Sequence, residues 1–356
     1  MNSSSRLSVC VLFGGVSPEH AVSLRSAESV LSSLDAEKYN IYPVGISQQG
    51  QWILYGSRDY SLLPSEAWLQ CPENCPAILS PSRGQGLLCF DGNQVRQIPI
   101  DVIFPVLHGA NGEDGSIQGL AQVAGIPCVG SGVGASAAAM DKFMTKLVAD
   151  SLQVAQAAWM PVLASDLRRD AAAIAAAVEH RFSWPVFVKP AGTGSSVGVN
   201  RAEDRDGLFR ALEEAARFDE KILVEEFIPG QEVEVAVLGN LEPVASIVGE
   251  IDTGAGFYDY SAKYLDDSAG LYVPARISDA AAQTVRETAV RIYKGLGCRG
   301  LSRVDFFVKP DGSVIFNEIN SIPGFTSISM YPRLFVAGGM PYPELLDRLL
   351  ALAMED

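Results

Sequence analysis

The stretch LSVCVLFGGVSPEHAVSLRSAESVLSSLDAEKYNIYPVGI, residues 7–46, decides the fold class of the N-terminal part of the chain. An apolar run, LSVCVLF, ends at Gly14-Gly15, and a segment of helical pattern leads to a second strand-like run, YNIYPVGI. The same alternation returns in IDVIFPVL, SIQGLAQVAG and IPCVG. Because strands separated by helices pair in parallel, this order predicts an α/β domain with a doubly wound parallel sheet.

The composition is that of an acidic globular protein. Of the 356 residues, 48% are hydrophobic, and 27 Lys and Arg stand against 42 Asp and Glu, which gives a net charge of −15. Such a charge repels a phosphate backbone, so we expect no nucleic-acid partner, although a small anion could still bind clustered cations. No run approaches the ~18 apolar residues of a membrane helix, so we expect no membrane insertion. The N-terminus is typical of a first strand rather than a signal peptide.

The six cysteines and three histidines favour neither a disulfide framework nor a zinc site. Cys71 and Cys75 are close in sequence, but no second cysteine pair or histidine cluster completes a metal site. We therefore expect all six cysteines to be structural, in a reducing compartment.

The rest of the chain predicts two further α+β units. Residues 56–99, rich in Pro, Ser and Gly, predict an irregular or hairpin insertion in the first domain. From Ser131 the sequence becomes an Ala-rich helix, ASAAAMDKFMTKLVADSL, followed by strands and helices over about 100 residues. From residue 229 come two strand-like runs and a loop rich in Gly, Tyr and Asp at about 252–275. A long helix begins near Ser278.

The stretch GLSRVDFFVKPDGSVIFNEINSIPG, residues 300–324, predicts two strands joined by a type I turn at KPDG. Alternation places Arg303 with Asp305 on one face of the first strand, and Glu318 with Asn320 on one face of the second. If Lys309 pairs with Gly312, Arg303 lies opposite Glu318 and all four share a face. A bulge at Gly312 would instead separate the two sets.

Asp305, Glu318 and Asn320 offer three oxygen ligands of the kind that Mg²⁺ prefers. The alternative is a solvated outer face of a hairpin. Against it, the residues of opposite parity are strongly apolar, and the turn Ile322-Pro323-Gly324 that follows is suited to presenting backbone N–H groups.

Two further segments suit a nucleotide. In KPAGTGSSVGV, residues 189–199, glycines and hydroxyls after a strand could hold phosphate, with cations at Lys189 and Lys142, although a plain flexible loop fits as well. The glycine spacing matches neither a Walker A loop nor the dinucleotide fingerprint. In VEEFIPGQEVE, Glu225, Glu226 and Glu232 could border adenine and ribose, but acidic strand ends are ordinary.

Glu19 follows the first strand, and His108 follows FPVL. In an open parallel sheet, ligands bind beyond the carboxyl ends of the strands. The alternative for Glu19 is that it stabilises the N-terminus of a helix through the helix dipole. The alternative for His108 is that it is a structural histidine.

Eight motifs in order resemble the D-alanine–D-alanine ligase family of the ATP-grasp superfamily, from about Val9 to Asp347. They are GGVSPEHAVSL, LHGANGEDGSIQG, MDKFMTK, VKPAGTGSSVGV, VEEFIPGQEVEV, FYDYSAKY, SRVDFF and NEINSIPGFTSIS. The resemblance implies a three-domain ATP-grasp architecture, with an N-terminal α/β domain over residues 1–130, a central α+β subdomain over 131–228 and a C-terminal subdomain over 229–356. ATP would lie between the last two, and the loop at about 252–275 would be a mobile lid.

The resemblance also implies a role for single residues. The residues implied to bind ATP are Lys142, Lys189, Glu225, Glu226, Phe227, Ile228, Glu232 and Lys263. Those implied to bind or close over the two D-alanine molecules are Glu19, His108, Ser195, Tyr264 and Ser329. Arg303 and the Gly324 N–H would stabilise the tetrahedral oxyanion, and Asp305, Glu318 and Asn320 would bind two Mg²⁺ ions. Family members often carry Lys where Glu226 stands, so we expect the adenine contact there to use the backbone.

The implied reaction is ATP-dependent formation of D-alanyl-D-alanine through an acyl phosphate, for peptidoglycan synthesis in a bacterial cytoplasm. The implied partners are D-alanine, ATP and a second copy of the chain in a homodimer, with Mn²⁺ as a substitute for Mg²⁺ and K⁺ as a candidate activator. Two alternatives stay open. One is a D-alanine–D-lactate or D-serine ligase, although the FYDYSAKY loop resembles the D-alanine type, and the other is a non-catalytic nucleotide-binding module.

Overall fold

The computed structural model describes residues 6–252, 270–326 and 328–355. Within these ranges the strands form sheets of seven, four and five members, which follow one another along the sequence. No helix of the described ranges combines the length and apolarity needed to cross a membrane. The domain boundaries at 130/131 and 228/229 stay a prediction.

The N-terminal sheet is mixed. Its strands are β1 (Leu7–Gly14), β2 (Tyr39–Ile46), β3 (Trp52–Leu54), β4 (Cys75–Leu79), β5 (Leu87–Asp91), β6 (Gln94–Ile98) and β7 (Val102–Leu107), with helices α1 (His20–Ser33) and α2 (Ser116–Ala124). The strand order is β6-β5-β4-β3-β2-β1-β7. Pairing is parallel among β2, β1 and β7 and antiparallel from β2 to β6. The predicted parallel unit is therefore present, and the 56–99 segment extends one edge as hairpins.

The prediction of a strand at IPCVG, residues 126–130, is wrong. It forms a single isolated bridge between Ile103 and Cys128. Gly125 and Gly130 at its two ends adopt φ values of 68° and 104°. Because the chain turns at both glycines, the segment between them is too short for a ladder.

The second sheet is antiparallel, with the order β10-β9-β11-β8. Its strands are β8 (Trp159–Leu163), β9 (Val186–Pro190), β10 (Asn200–Ala202) and β11 (Lys221–Glu226), and the helices of this region are α3 (Val133–Met140), α4 (Lys142–Ser151), α5 (Ala164–Arg181) and α6 (Arg205–Ala215). The helix predicted over 135–152 is in fact two helices. The Asp141 side chain accepts the N–H groups of Phe143 and Met144, so it caps α4 and starts a new helix there.

The third sheet has the order β14-β13-β12-β15-β16. Its strands are β12 (Gln231–Leu238), β13 (Val244–Asp252), β14 (Gly270–Tyr272), β15 (Leu301–Val308) and β16 (Val314–Asn320), with helices α7 (Asp279–Gly295), α8 (Met330–Ala337) and α9 (Tyr342–Ala353). The predicted start of α7 is confirmed, because the Ser278 hydroxyl accepts the Ala281 N–H as its N-cap. The first and third sheets share one hydrophobic core, whereas the second sheet has a core of its own.

The polar face of the β15–β16 hairpin is confirmed, in a register other than the predicted one. Arg303 pairs with Asn320 and Asp305 pairs with Glu318, so the prediction of Arg303 opposite Glu318 is wrong. Directly paired residues of an antiparallel ladder lie on the same face. All four polar side chains therefore share one face of the sheet.

Two one-residue offsets produce this register. The Gly312 N–H donates to the Lys309 carbonyl at 2.8 Å, as a type I turn requires, but the Lys309 N–H bonds to Ser313 and Gly312 adopts a φ of 84°. A second shift follows Asp305, where Asn317 is the extra residue on β16. Either offset alone would turn one set of side chains to the opposite face, and the two together cancel.

Gly45 makes room for a buried aromatic cluster, and this yields a stability prediction. A Cβ at Gly45 would lie 2.3 Å from the Trp68 ring and 2.8 Å from the Phe13 ring. Both rings are fully buried. We expect Gly45→Ala to lower the free energy of unfolding by about 2 kcal/mol through overpacking, measured by urea denaturation.

The matched control is Gly134→Ala. Gly134 is exposed on α3 with open space around its Cα, so the same substitution should raise the free energy of unfolding by up to about 1 kcal/mol through helix propensity. Equal stability of Gly45→Ala and wild type would contradict the packing described here.

Candidate active site

A cleft of about 910 Å³ is lined by residues of all three sheets and their loops. Its walls contain every described residue that the sequence predicted for the site, except Asp305. These residues are Glu19, His108, Lys142, Lys189, Ser195, Glu225, Glu226, Phe227, Ile228, Glu232, Arg303, Glu318, Asn320, Gly324 and Ser329. Lys263 and Tyr264 lie outside the described residues, as does most of the predicted lid.

Asp305 lies behind Arg303. The Arg303 guanidinium donates through Nε to one Asp305 oxygen at 2.8 Å and through Nη2 to the other at 2.7 Å. Its Nε also lies 3.1 Å from a carboxylate oxygen of Glu234, and the Asn320 amide donates to Asp305 at 3.1 Å. Asp305 and Glu234 are buried. Two buried carboxylates therefore fix the orientation of this guanidinium, and sequence analysis had not singled out Glu234.

The hairpin face fits a hard cation in its donor chemistry. Glu318 and Asn320 line the cleft, and the Asp305 carboxylate lies across the ladder from Glu318. Among the described residues no three His, Cys, Asp or Glu side chains form a metal cluster. Two carboxylates and an amide oxygen nevertheless suit Mg²⁺, which binds through one or two carboxylates and takes its remaining ligands from phosphates and water.

Two lysines flank the glycine-rich loop after β9. The Lys142 Nζ donates to the Thr193 carbonyl at 2.6 Å and lies 4.0 Å from a Glu318 oxygen. The Lys189 Nζ lies 2.8 Å from Glu225 Oε2 and 3.3 Å from the Asn317 amide oxygen. Both ammonium groups thus face the part of the cleft where an anion could bind.

Glu225 lies between two lysines. Its Oε1 is 3.2 Å from Lys146 Nζ and its Oε2 is 2.8 Å from Lys189 Nζ. Burial raises the pKa of the Glu225 carboxyl, but the two ammonium groups outweigh burial and lower that pKa to about 2. Lys146 was missed in the sequence. The available signal was its position four residues after Lys142, one helical turn along α4.

The wall next to Glu225 is partly apolar. The Glu226 carboxylate accepts the Ala158 N–H at 2.7 Å, so its side chain is engaged with the neighbouring backbone. The Phe227 ring is 40% exposed, and its centroid lies 6.2 Å from that of Phe187. A planar ligand could therefore lie against these rings.

Glu19 and His108 follow the adjacent parallel strands β1 and β7. The Ser195 hydroxyl donates to Glu19, which brings the glycine-rich loop of the second sheet to the first. The buried His108 ring lies 3.1 Å from the Ile322 carbonyl and 3.2 Å from the Ser26 hydroxyl. Burial lowers the pKa of His108 more than the Glu19 charge raises it, so the imidazole is neutral at pH 7.

Gly324 and Ser329 form the end of the cleft beyond β16. The Ser329 hydroxyl accepts the Thr326 N–H at 3.1 Å. A Cβ at Gly324 would lie 2.7 Å from that hydroxyl, so the close approach of the turn requires glycine.

Further charged groups of the cleft were missed, among them Glu113, Arg276 and Glu250. Glu113 is buried, and its carboxylate accepts the Gly109 N–H at 2.8 Å and the Ile322 N–H at 3.3 Å. The Arg276 guanidinium donates to Glu250 at 2.6 Å, and these hydrogen bonds lower the pKa of the Glu250 carboxyl. Glu113 lies within the motif LHGANGEDGSIQG, but its contact with Ile322, 209 residues away, leaves no local signal, and Arg276 lies in none of the eight motifs.

The family models that match the chain are D-ala D-ala ligase N-terminus, over residues 8–131, and D-ala D-ala ligase C-terminus, over residues 148–351. The chain belongs to the D-alanine–D-alanine ligase family. The resemblance stated from the motifs is thereby confirmed.

Relatives support this membership along the whole chain. A protein named D-alanine–D-alanine ligase from Caldicellulosiruptor bescii is 46% identical over 353 residues, covering 99% of this chain and 96% of its own. One of the same name from Ruminiclostridium cellulolyticum is 47% identical over 365 residues, with the same coverage.

Solved structures of this ligase family confirm the predicted ATP-grasp architecture. A D-Ala:D-Ser ligase from Enterococcus faecalis has a TM-score of 0.89 at 38% identity, covering 98% of this chain and 100% of its own. The D-alanine–D-alanine ligase from Coxiella burnetii has a TM-score of 0.86 at 33% identity, covering 98% and 94%.

The buried charges around Glu225 yield the second prediction. Glu225→Gln leaves the buried Lys146 ammonium without its counter-charge, so the free energy of unfolding at pH 7 should fall by about 3 kcal/mol. The folded-state pKa of about 2 lies below the ordinary glutamate pKa of 4.5. Ionised Glu225 therefore stabilises the fold above about pH 4.5, and this contribution is lost as the pH falls toward 2. Urea denaturation at pH 7 and pH 3 should show a smaller difference at the lower pH.

Glu220→Gln is the matched control. Glu220 is an exposed carboxylate whose ion pair with Arg168 is also exposed and screened by solvent, so its loss should cost much less than the loss of Glu225. A loss in Glu225→Gln no larger than in Glu220→Gln would contradict the account of the buried charges.

Proposed function

We propose that the protein joins two D-alanine molecules into D-alanyl-D-alanine, with ATP converted to ADP and phosphate, for peptidoglycan precursor synthesis. Membership of the ligase family supports this reaction. The observation that carries this proposal is a single cleft lined from all three sheets and their loops. It brings together the lysines, the oriented Arg303 guanidinium and the Glu19 carboxylate beyond the end of β1. These are the groups needed for phosphate, for a developing oxyanion and for an ammonium.

ATP would lie between the second and third sheets. The backbone and side chains of Glu225 through Ile228 would border adenine, with Phe227 against the base, and Glu232 would bind the ribose hydroxyls. Lys142, Lys189 and Lys263 would neutralise the phosphates. Lys189 donates to Glu225 in the structure, and a further N–H of its ammonium group would reach a phosphate, while Lys146 is the second counter-ion of Glu225.

Glu19 would bind the ammonium of the first D-alanine, with His108 nearby and Ser195 and Tyr264 closing over it. The carboxylate of this D-alanine takes the γ-phosphoryl group, which turns a poor electrophile into an acyl phosphate. The neutral amine of the second D-alanine, whose carboxylate would bind Ser329, attacks the acyl carbon. Arg303 and the Gly324 N–H would stabilise the oxyanion, and collapse of the tetrahedral intermediate expels phosphate.

Asp305, Glu318 and Asn320 would hold two Mg²⁺ ions, or Mn²⁺ in their place. Bound there, the metal supplies charge neutralisation of the transferred phosphoryl group. Arg303 and Asn320 donate to Asp305, so these side chains set how far that carboxylate extends into the cleft. We further propose a homodimer in a bacterial cytoplasm, K⁺ activation and the three domains at the boundaries predicted above.

A second candidate is the ligation of D-alanine to D-serine. The Enterococcus faecalis D-Ala:D-Ser ligase shares the fold with a TM-score of 0.89, but the curated relatives at 46% and 47% identity are named D-alanine–D-alanine ligase, so this candidate is not favoured. The two reactions share activation of the first D-alanine and differ in the second substrate, so the products decide between them.

The third prediction tests the reaction itself. Purified protein with ATP and Mg²⁺ should release phosphate with D-alanine and yield D-alanyl-D-alanine by mass spectrometry, with far less product from L-alanine, D-serine or D-lactate. Repeating the assay with Mn²⁺ and with added K⁺ tests the ion dependence. A mixed dipeptide as the main product in equimolar D-alanine and D-serine would establish the second candidate, and nucleotide binding without any product would indicate a non-catalytic module.

The fourth prediction concerns the metal face. Glu318→Gln keeps the shape of the side chain and removes one charge from the hairpin face, so kcat should fall by about 100-fold or more and the Mg²⁺ requirement should rise. Glu213→Gln, on the exposed side of α6, is the control and should match wild type. Near-normal turnover at low Mg²⁺ in a folded Glu318→Gln protein would remove Glu318 from the metal site.

A further inference from the structure

The turn that carries Gly324 is attached to the N-terminal sheet through Glu113. This buried carboxylate accepts the Ile322 N–H on Oε1 at 3.3 Å and the Gly109 N–H on Oε2 at 2.8 Å. The Ser321 hydroxyl donates to the Glu113 carbonyl at 3.4 Å. One side chain therefore joins the loop after β7 to the turn after β16, 209 residues further along the chain.

A second set of hydrogen bonds holds the same turn from its other side. The Phe325 N–H donates to the Ser26 hydroxyl at 3.2 Å, and that hydroxyl lies 3.2 Å from His108 Nε2. His108 Nδ1 lies 3.1 Å from the Ile322 carbonyl. With the imidazole neutral, Nδ1–H donates to the Ile322 carbonyl and Nε2 accepts from the Ser26 hydroxyl, which in turn accepts the Phe325 N–H. Both ring nitrogens of His108 therefore have a partner.

Gly324 lies between these two attachment points. Ile322 on one side is held through both its N–H and its carbonyl, and Phe325 on the other is held through its N–H. The Phe325 ring also packs edge-on against Phe104 of β7, at a centroid distance of 6.0 Å. Because both ends of the short segment are held by α1 and by the loop after β7, the Gly324 N–H has little freedom of its own.

Burying the Glu113 carboxyl costs free energy. Desolvation, and after it the neighbouring Glu19 charge, raise the pKa of Glu113, against the two N–H donors and Arg303, which lower it. If Glu113 served stability alone, an apolar side chain of similar size would stabilise the fold more, because it has no charge to bury. Its two oxygens instead accept two backbone N–H groups from different loops, Gly109 after β7 and Ile322 after β16.

We propose that Glu113 is a positioning residue for the transition state, which holds the Ile322–Gly324 turn so that the Gly324 N–H meets the oxyanion. This role rests on the proposed function, in which that N–H is an oxyanion donor. A donor helps only when it is aimed at the position of the oxyanion before the reaction occurs. Glu113 acts through the turn and not on substrate.

Glu113→Gln is the test variant. It keeps the volume and replaces one acceptor oxygen by an NH₂ group, so one of the two backbone N–H groups loses its acceptor. We expect kcat to fall at least about 10-fold. The affinity for a phosphinate dipeptide, whose tetrahedral phosphorus has the geometry of the transition state, should weaken by a similar factor. The KM for ATP and the Kd for D-alanine should stay within about 2-fold of wild type.

Asp114→Asn is the matched control. Asp114 is the next residue, and its carboxylate also accepts two backbone N–H groups, those of Asn111 at 2.8 Å and Ser116 at 3.0 Å, but it does not line the cleft. It should leave kcat and phosphinate affinity unchanged. Equal losses in the two variants, or equal weakening of D-alanine and phosphinate binding in Glu113→Gln, would overturn the positioning role.

Ser26→Ala serves if Glu113→Gln fails to fold. It removes the acceptor of the Phe325 N–H, and we expect the same selective loss of kcat and phosphinate affinity. Normal values in Ser26→Ala would overturn the proposal that the attachment of this turn supports the transition state. Absence of dipeptide from wild type would contradict the proposed function, whereas an active wild type with normal Glu113→Gln kinetics would contradict the positioning role alone.

Discussion

The site depends on the parity of one strand pairing, between β15 and β16. A one-residue slip in an antiparallel ladder turns all side chains of one strand to the opposite face. The extra residue at Gly312 and the bulge at Asn317 each cause such a slip, and together they restore the face. One irregularity alone would turn Glu318 and Asn320 away from Arg303 and Asp305, and because both are present all four side chains share a face.

Burial of charge sets the second constraint. The chain carries a net charge of −15, yet Lys142, Lys146 and Lys189 are brought close to Glu225 and Glu318. Each buried charge in this cluster would be costly alone and is tolerable beside an opposite one. This cluster of three ammonium groups and two carboxylates therefore carries a positive charge in an acidic protein, which favours a polyphosphate and which overall composition does not reveal.

The sequence predicted those features that arise from neighbours along the chain. Alternation identified the polar face of the hairpin, and apolar runs identified β1, β2 and β7 with Glu19 and His108 at their ends. Sequence patterns could not identify the role of Glu113, whose partner Ile322 is 209 residues away. Nor could they identify the bulge at Asn317, which depends on the packing of two strands. The break between α3 and α4 was within reach, because Asp141 is a common N-cap residue, but an Ala-rich run on one side concealed it.

The distribution of the hydrophobic cores indicates which walls of the cleft stay together. The first and third sheets share one core, in which Phe104 of β7 meets Phe325, so their separation would expose a large apolar area. The second sheet has its own core, and its contacts across the cleft include hydrogen bonds such as Ser195 to Glu19 and Lys189 to Asn317. Each such bond can be exchanged for water at a net cost of about 1 kcal/mol. We therefore expect nucleotide to enter by movement of the second sheet, while the turn at Gly324 and the ends of β1 and β7 keep their relative positions.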